Sequence, residues 1–148
     1  MFTIRQRFAL DYNSSGTMDH IVLYCPGAGT IWILKHERTE WVTVYKEPGG
    51  GVGGYDLKST NDLAFAFDYK SSGKMDYIAL YKPGTGTFWI IEHDERGDWF
   101  PVYKQGDPGS GIGGYDLKSP ADRAFAFDYG HSGKCDHIVF YRPGTGTI

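Results

Sequence analysis

The sequence predicts an all-β fold built from repeated four-stranded meanders, and three observations predict it. A loop motif returns at near-constant spacing, short aromatic and β-branched runs follow one another, and turn residues separate the runs. The motif Asp11-Tyr-Asn-Ser-Ser-Gly-Thr-Met-Asp19 recurs 57 residues on as Asp68-Tyr-Lys-Ser-Ser-Gly-Lys-Met-Asp76, and 60 residues further as Asp128-Tyr-Gly-His-Ser-Gly-Lys-Cys-Asp136. One module of nearly constant length is therefore used three times, and a site that it builds should recur.

The middle copy shows each element in order. Leu63 to Tyr69 is an apolar-aromatic run, followed by the Asp loop. Tyr77-Ile-Ala-Leu-Tyr81 comes next, then a Pro-Gly-Thr-Gly turn and Thr87-Phe-Trp-Ile-Ile91. A charged hairpin tip leads to Trp99-Phe-Pro-Val-Tyr103. Such residues suit strands, and the Gly, Pro, Asp and Asn between them suit tight turns. The modules span 8–53, 64–113 and 124–148 of a single repeat domain, and the third lacks most of its third strand and all of its fourth.

Ile21-Val-Leu-Tyr24 and Thr30-Ile-Trp-Ile-Leu34 are apolar on both faces, so both faces need cover. Sheets stacked between copies of themselves meet that need, as the blades of a β-propeller do; a two-layer sandwich would bare one face of each strand, and a β-trefoil needs a shorter period. A glycine-rich linker, Gly49 to Ser59, recurs almost unchanged as Gly109 to Ser119. Glycine's wide φ range suits a crossing from one blade to the next, with Tyr and Leu plugging the gap. The alternative is that Tyr55, Asp56, Tyr115 and Asp116 line an inter-blade pocket. About two and a half modules are too few for a ring of four to eight blades, so homo-oligomerisation is expected, two chains supplying about five modules and three about seven and a half. A fragment of a longer or designed propeller is the other reading.

The 148 residues include 41% hydrophobic and 16% aromatic side chains, enough for a substantial core. A net charge of −3 with scattered Lys and Arg gives no electrostatic footprint for nucleic acid. No stretch approaches a membrane span, and the first residues carry no apolar h-region of a secretory signal, so the compartment stays open, secreted or cytoplasmic. Cys25 and Cys135 fall at different places in the module, which excludes a disulfide framework shared by the repeats.

Within the first loop, Asp11, Asn13, Ser15, Thr17 and Asp19 stand at alternate positions around a glycine, the spacing by which oxygen donors wrap a calcium ion. The second loop offers Asp68, Ser72, Lys74 and Asp76, and the third Asp128, Ser132, Lys134 and Asp136, the seventh-position residue acting through its carbonyl. Calcium is thus expected chiefly in the first loop, since Lys70 and Gly130 replace Asn13 in the others and fewer ligands bind more weakly. The competing reading is an Asx turn whose first Asp accepts backbone N–H bonds and whose second pairs with the Lys.

An apolar strand, a Dx[DN]xxGxxD loop, a second apolar strand and a glycine-containing turn, here Phe8-Ala-Leu-Asp11 through Asp19-His-Ile-Val-Leu-Tyr24, resemble the FG-GAP or VCBS-type repeat. The resemblance implies β-propeller blades with calcium in the loop. It extends to fungal and bacterial sugar-binding propellers, among them seven-bladed fungal lectins for N-acetylglucosamine, and to integrin heads. It therefore implies a glycan partner, while fold alone fixes no function.

No Ser-His-Asp, Cys-His or zinc-spaced cluster stands out, so no catalysis is expected. His36 and His93 recur at the end of the third strand, and His20 and His137 follow the loop; they read as polar strand-end groups or as hydrogen-bonding partners of a ligand. Sugar binding needs an aromatic face and a few fixed polar groups, for which Trp32 and Trp89 are candidates beside Tyr55, Asp56, Tyr115, Asp116, His20 and His137. A multivalent lectin and a structural or protein-interaction propeller are the two functions that this sequence supports.

Overall fold

The computed structural model describes residues 6–106 and 109–148. Among these residues the chain is all-β, with ten strands and no helix: β1 Gln6–Leu10, β2 His20–Cys25, β3 Thr30–Glu37, β4 Glu40–Glu47, β5 Leu63–Phe67, β6 Tyr77–Lys82, β7 Thr87–His93, β8 Trp99–Gln105, β9 Arg123–Phe127 and β10 His137–Tyr141. They form three antiparallel sheets in sequential order, β1-β2-β3-β4, β5-β6-β7-β8 and the pair β9-β10. The predicted strands are all present, and the Asp loops join the first two strands of each sheet. The last hairpin of each complete sheet slips register at the same place, between Ile33 and Leu34 and between Ile90 and Ile91.

Pairing fixes which side chains share a face. On the first sheet Phe8 lies opposite Val22, and Tyr24 opposite Ile31, giving a front face of Phe8, Leu10, Val22, Tyr24, Ile31 and Ile33. The back face of the second sheet carries Ala64, Ala66, Ile78, Leu80, Trp89 and Ile91. These two faces close on each other in one core, with Val52, Tyr55 and Leu57 of the first linker filling its margin. The front of the second sheet, with Phe67, Ala79, Tyr81, Phe88 and Ile90, packs in the same way on Phe140 and Ile138 of the third sheet, with Leu117 of the second linker between them.

The middle sheet is thus covered on both faces, and Tyr77–Tyr81 and Thr87–Ile91 are buried throughout. That is why these strands read as apolar at every position, each fully buried aliphatic side chain contributing about 1.5–3 kcal/mol. Outer surfaces behave differently. The back face of the first sheet leaves Ile21, Leu23, Trp32 and Leu34 half-buried, and Phe125 and Phe127 on the front of the third sheet are 44% exposed.

Successive sheets also meet at their first strands. The Gln6 side chain accepts the Ala64 N–H (2.9 Å) and donates to the Asp62 carbonyl, clipping β1 to the segment that enters β5. No helix is long and apolar enough to cross a membrane among the described residues.

Candidate functional site

The three Asp loops share one geometry. Asp11 Oδ1 accepts the Ser15 N–H (2.8 Å) and hydroxyl (3.1 Å), and Oδ2 accepts the Gly16 N–H (2.6 Å). Asp68 does the same with Ser72 and Gly73, and Asp128 with Ser132 and Gly133. The turn requires left-handed backbone at Ser14, Ser71 and His131 (φ 53–54°) and at the following glycines, which is why each loop places Gly before its seventh residue. The first half of the Asx-turn reading describes these contacts.

The second Asp of each loop pairs with neither Lys74 nor Lys134 among the salt bridges of the described residues. It faces elsewhere. Asp19 Oδ1 lies 2.7 Å from His20 Nδ1, and Asp136 Oδ1 lies 2.7 Å from His137 Nδ1. Asp76 and Asp136 also reach back to the preceding loop, toward Ser14 and Ser71 respectively. Burial pushes the Asp76 carboxyl up, with the Asp11 and Asp68 carboxylates adding to the shift, and its Oδ1 is buried without a hydrogen-bond partner. The Ser71 hydroxyl and His137 hold Asp136 below the usual carboxylate range against its partial desolvation. Backbone bonds tie the same loops across the sheets: Asp11 N–H donates to the Met75 carbonyl (2.9 Å) and Asp68 N–H to the Cys135 carbonyl (3.2 Å). Among the described residues no three His, Cys, Asp or Glu side chains converge as metal ligands.

Each linker builds a polar junction at the end of the sheets away from the Asp loops. At the first, the buried Tyr24 hydroxyl is shared between the Leu57 carbonyl (3.3 Å) and Asp62 Oδ2 (3.1 Å). Asp62 Oδ1 and the Tyr55 hydroxyl are buried without partners, and burial pushes the Asp62 carboxyl up to about 6. At the second, Tyr81 repeats these contacts with Leu117 and Asp122. Here the Tyr115 hydroxyl donates to Asp122 Oδ1 (2.9 Å), and Arg142 donates to both Asp122 oxygens and to Asp116. Desolvation alone would raise Asp122; the Arg142 and Tyr115 hydrogen bonds hold it below its ordinary value.

Between the first two sheets lies a groove of about 460 Å³, lined by Tyr12, Asn13 and Ser14 of the first Asp loop and by His93, Asp94, Glu95, Arg96 and Gly97 of the β7–β8 tip. Tyr12 stacks on His93 with ring centroids 4.1 Å apart. His93 Nε2 lies 2.8 Å from the Tyr12 carbonyl and Nδ1 2.8 Å from the Asp94 carbonyl; a neutral imidazole has one N–H, so it serves one of them at a time. Trp99 packs edge-on against His93 from below, with its Nε1 buried and unpartnered, and His20 lies against Tyr12 with neither ring nitrogen in hydrogen-bonding geometry. Asp94 accepts the Arg96 and Asp98 N–H groups, which fixes the tip and holds its carboxyl below the usual range.

Of the sequence candidates, Asn13 lines this groove and His20 sits behind it. Tyr55 and Trp89 are core side chains, stacked edge-on at 5.5 Å, and Trp89 Nε1 donates to the Gln105 carbonyl. Trp32 lies on the uncovered back face under Lys46 (4.3 Å). Asp56 and Asp116 are exposed and cap the Lys58 and Lys118 N–H groups. Tyr115 and His137 line a larger, apolar cavity of about 760 Å³ beside the free edge of β10, floored by Gly113 and Gly114. In the preceding linker the ring of Trp89 approaches the corresponding Gly54. Comparison of the chain with family models, curated proteins and solved structures gives no match.

Proposed function

We propose that the protein is a non-catalytic carbohydrate-binding module of β-propeller type. Its sugar site is the groove between Tyr12–Ser14 and His93–Gly97. One observation carries the reading: an aromatic floor, the Tyr12–His93 stack, is rimmed by Asn13, Ser14, Asp94, Glu95 and Arg96 in an open groove between two sheets. A pyranose needs an apolar contact for its C–H face and oriented donors and acceptors for its hydroxyls, and this set supplies both. The resemblance in the loops favours an N-acetylglucosamine-type ligand. Weak sites of this kind gain from being presented several at a time, which gives self-association a purpose.

Calcium belongs to the proposal as a structural ion. Asp11, Asn13 and Ser15 of the first loop, with the unpartnered Oδ1 of Asp76 in the second, supply oxygen donors of the type a hard cation takes. When bound it would neutralise facing carboxylates and tie the two loops together. A calcium-dependent rise in thermal midpoint that Asp76→Asn abolishes is the expected result.

The reading is tested by hapten inhibition and calorimetry with N-acetylglucosamine and control hexoses. Binding should occur at millimolar to micromolar affinity and fall roughly tenfold or more in Tyr12→Ala, whose aromatic floor is lost. Absence of sugar binding by the wild-type protein would transfer the groove to the second reading, a self-assembling interaction module. The exposed Trp41, Val44 and Phe100 on the outer strands favour that alternative.

A further inference from the structure

The two outer faces of the molecule are the two halves of an interface that it already makes twice. Phe125, Phe127 and Val139 on the front of the third sheet repeat Phe65, Phe67 and Ala79, the face on which the third sheet itself packs. Ile21, Leu23, Trp32 and Leu34 on the back of the first sheet repeat Ile78, Leu80, Trp89 and Ile91, the face that packs on the first sheet. The loops follow the same rule. Asp11 and Asp68 each give their N–H to the carbonyl of Met75 and Cys135 on the following loop, while the Asp128 N–H and the Met18 carbonyl make no such bond among the described residues. Asp76 and Asp136 reach back to Ser14 and Ser71, whereas Asp19, 37% exposed, meets no such serine among the described residues. His131 holds the Ser14 and Ser71 position in the last loop, with the same left-handed backbone.

The geometry points to head-to-tail docking of a second copy, the back of its first sheet covering the front of this copy's third sheet. Three features meet when the internal junction is repeated between copies. Leu23 and Trp32 cover Phe125 and Phe127, the Met18 carbonyl receives the Asp128 N–H, and the Asp19 carboxylate faces the His131 imidazole where the internal junctions have a hydroxyl. That last pairing is specific to the join between copies and gives the carboxylate a ring N–H donor.

The join also completes a second groove. Inside the chain the groove combines the residue after the loop Asp, Tyr12, with the following tip, His93 and Trp99. The unused halves are Tyr129, 73% exposed, and the tip where His36 packs on Trp41 at 5.0 Å, Trp41 being 53% exposed. Docking brings Tyr129 of one copy to His36 and Trp41 of the next, a composite site for the same class of ligand; this part rests on the carbohydrate reading above. The interface is heterologous, with different patches on the two sides, so it grows into a closed ring or an open fibre.

The test is mass by sedimentation equilibrium, without sugar, at about 100 μM chain. Wild type is expected to assemble, and Leu23→Asp or Phe127→Asp alone to be monomeric. Mixing the two variants should give a one-to-one heterodimer, since each retains the face the other lacks. Both substitutions lie on outer faces, and unchanged far-ultraviolet dichroism confirms folding. As a second handle, Asp19→Lys should weaken assembly roughly tenfold and His131→Asp in the same chain should restore it. A monomeric wild type, or one variant that still self-associates as an isologous dimer would, overturns the docking. Sugar stoichiometry then separates the two readings: two sites per chain in the assembly, falling to one in Tyr129→Ala with the mass unchanged, supports the composite groove, and one site in both overturns it. An assembly that binds no sugar leaves the docking standing and removes the carbohydrate reading.

Discussion

The two junctions between sheets repeat one linker pattern, yet the polar centre of the first is left unsatisfied and that of the second is satisfied. At the first, Trp89 closes the apolar side over Gly54 and Tyr55, while Asp62 lies buried with one oxygen partnerless. At the second, the corresponding place is the cavity over Gly113 and Gly114, while Asp122 is gripped by Tyr115 and Arg142. The polar contrast traces to one position: Lys82 stands where the third module has Arg142, and Lys82 lies over the Tyr55 ring (5.3 Å) without a salt bridge to Asp62. A planar guanidinium donates to two carboxylates from one position, which a flexible ammonium does not do. Polar satisfaction therefore differs between junctions that share a linker pattern, and a substitution at this position can exchange it.

The largest effect comes from opening the sealed junction. Trp89→Ala removes a side chain only 8% exposed from the first core and should cost about 3–5 kcal/mol in urea unfolding. Phe140→Ala, at the junction that already opens onto the cavity, should cost less, because water and neighbouring side chains can enter the space. Equal losses would mean that the two cores are equally sealed in solution.

The next effect is a pH dependence. The Asp62 carboxyl titrates at about 6 in the folded chain against 3.8 when unfolded, because burial disfavours its charge. The native state therefore holds an extra proton between those values, and stability falls as pH rises from 3.8 through about 6. The full penalty above that window is on the order of 3 kcal/mol. Asp62→Asn should be more stable than wild type at pH 7.5 by up to that amount and equal to it near pH 4, read as the difference between the two urea titrations. Asp122 has the opposite sign: its lowered carboxyl contributes stability that is lost as pH falls through its folded value. A wild-type-minus-Asn difference that does not change with pH would place Asp62 in contact with water or with Lys82.

Lys82→Arg tests the cause directly. Giving the first junction the residue of the second should let Asp62 accept charge-assisted bonds, lower its carboxyl and flatten the Asp62-linked pH dependence, with a gain of about 1 kcal/mol at pH 7.5. An unchanged pH profile would show that linker geometry, not the cation, sets the two junctions apart.

Repetition made the strands and loops legible, since three copies of one pattern expose turns and strand faces that a single copy leaves ambiguous. The continuous burial of β6 and β7 followed from runs such as Tyr77–Tyr81, apolar on both sides. The groove was harder to read because Tyr12 and His93 belong to different modules, 81 residues apart, and meet through the stacking of sheets. The signal was present nonetheless: Tyr12, Tyr69 and Tyr129 each follow the loop Asp, and His36 and His93 each end a third strand. Pairing one with the other needed the direction of stacking, which spacing within a module does not encode. For the same reason Tyr55 and Trp89, candidates for a sugar face, lie in the core: the linker tucks Tyr55 against the second sheet, and β7 turns Trp89 toward the first.

The smallest effect separates hydroxyls that the sequence makes equivalent. Tyr55 and Tyr115 occupy the same place in their linkers, but the Tyr55 hydroxyl is buried without a partner, whereas Tyr115 donates to Asp122 at 2.9 Å. Deleting a satisfied hydroxyl removes a hydrogen bond to a buried carboxylate, and Tyr115→Phe should cost about 1–2 kcal/mol. Removing an unsatisfied one relieves a desolvation penalty, so Tyr55→Phe should be neutral or stabilising by up to about 1 kcal/mol. In a Lys82→Arg background the guanidinium would draw Asp62 into a network like that of Asp122, and Tyr55→Phe should then become destabilising. That change of sign, read from the double-mutant cycle, would assign the contrast between the junctions to the Lys82 and Arg142 position; additive effects would assign it to the backbone of the linkers.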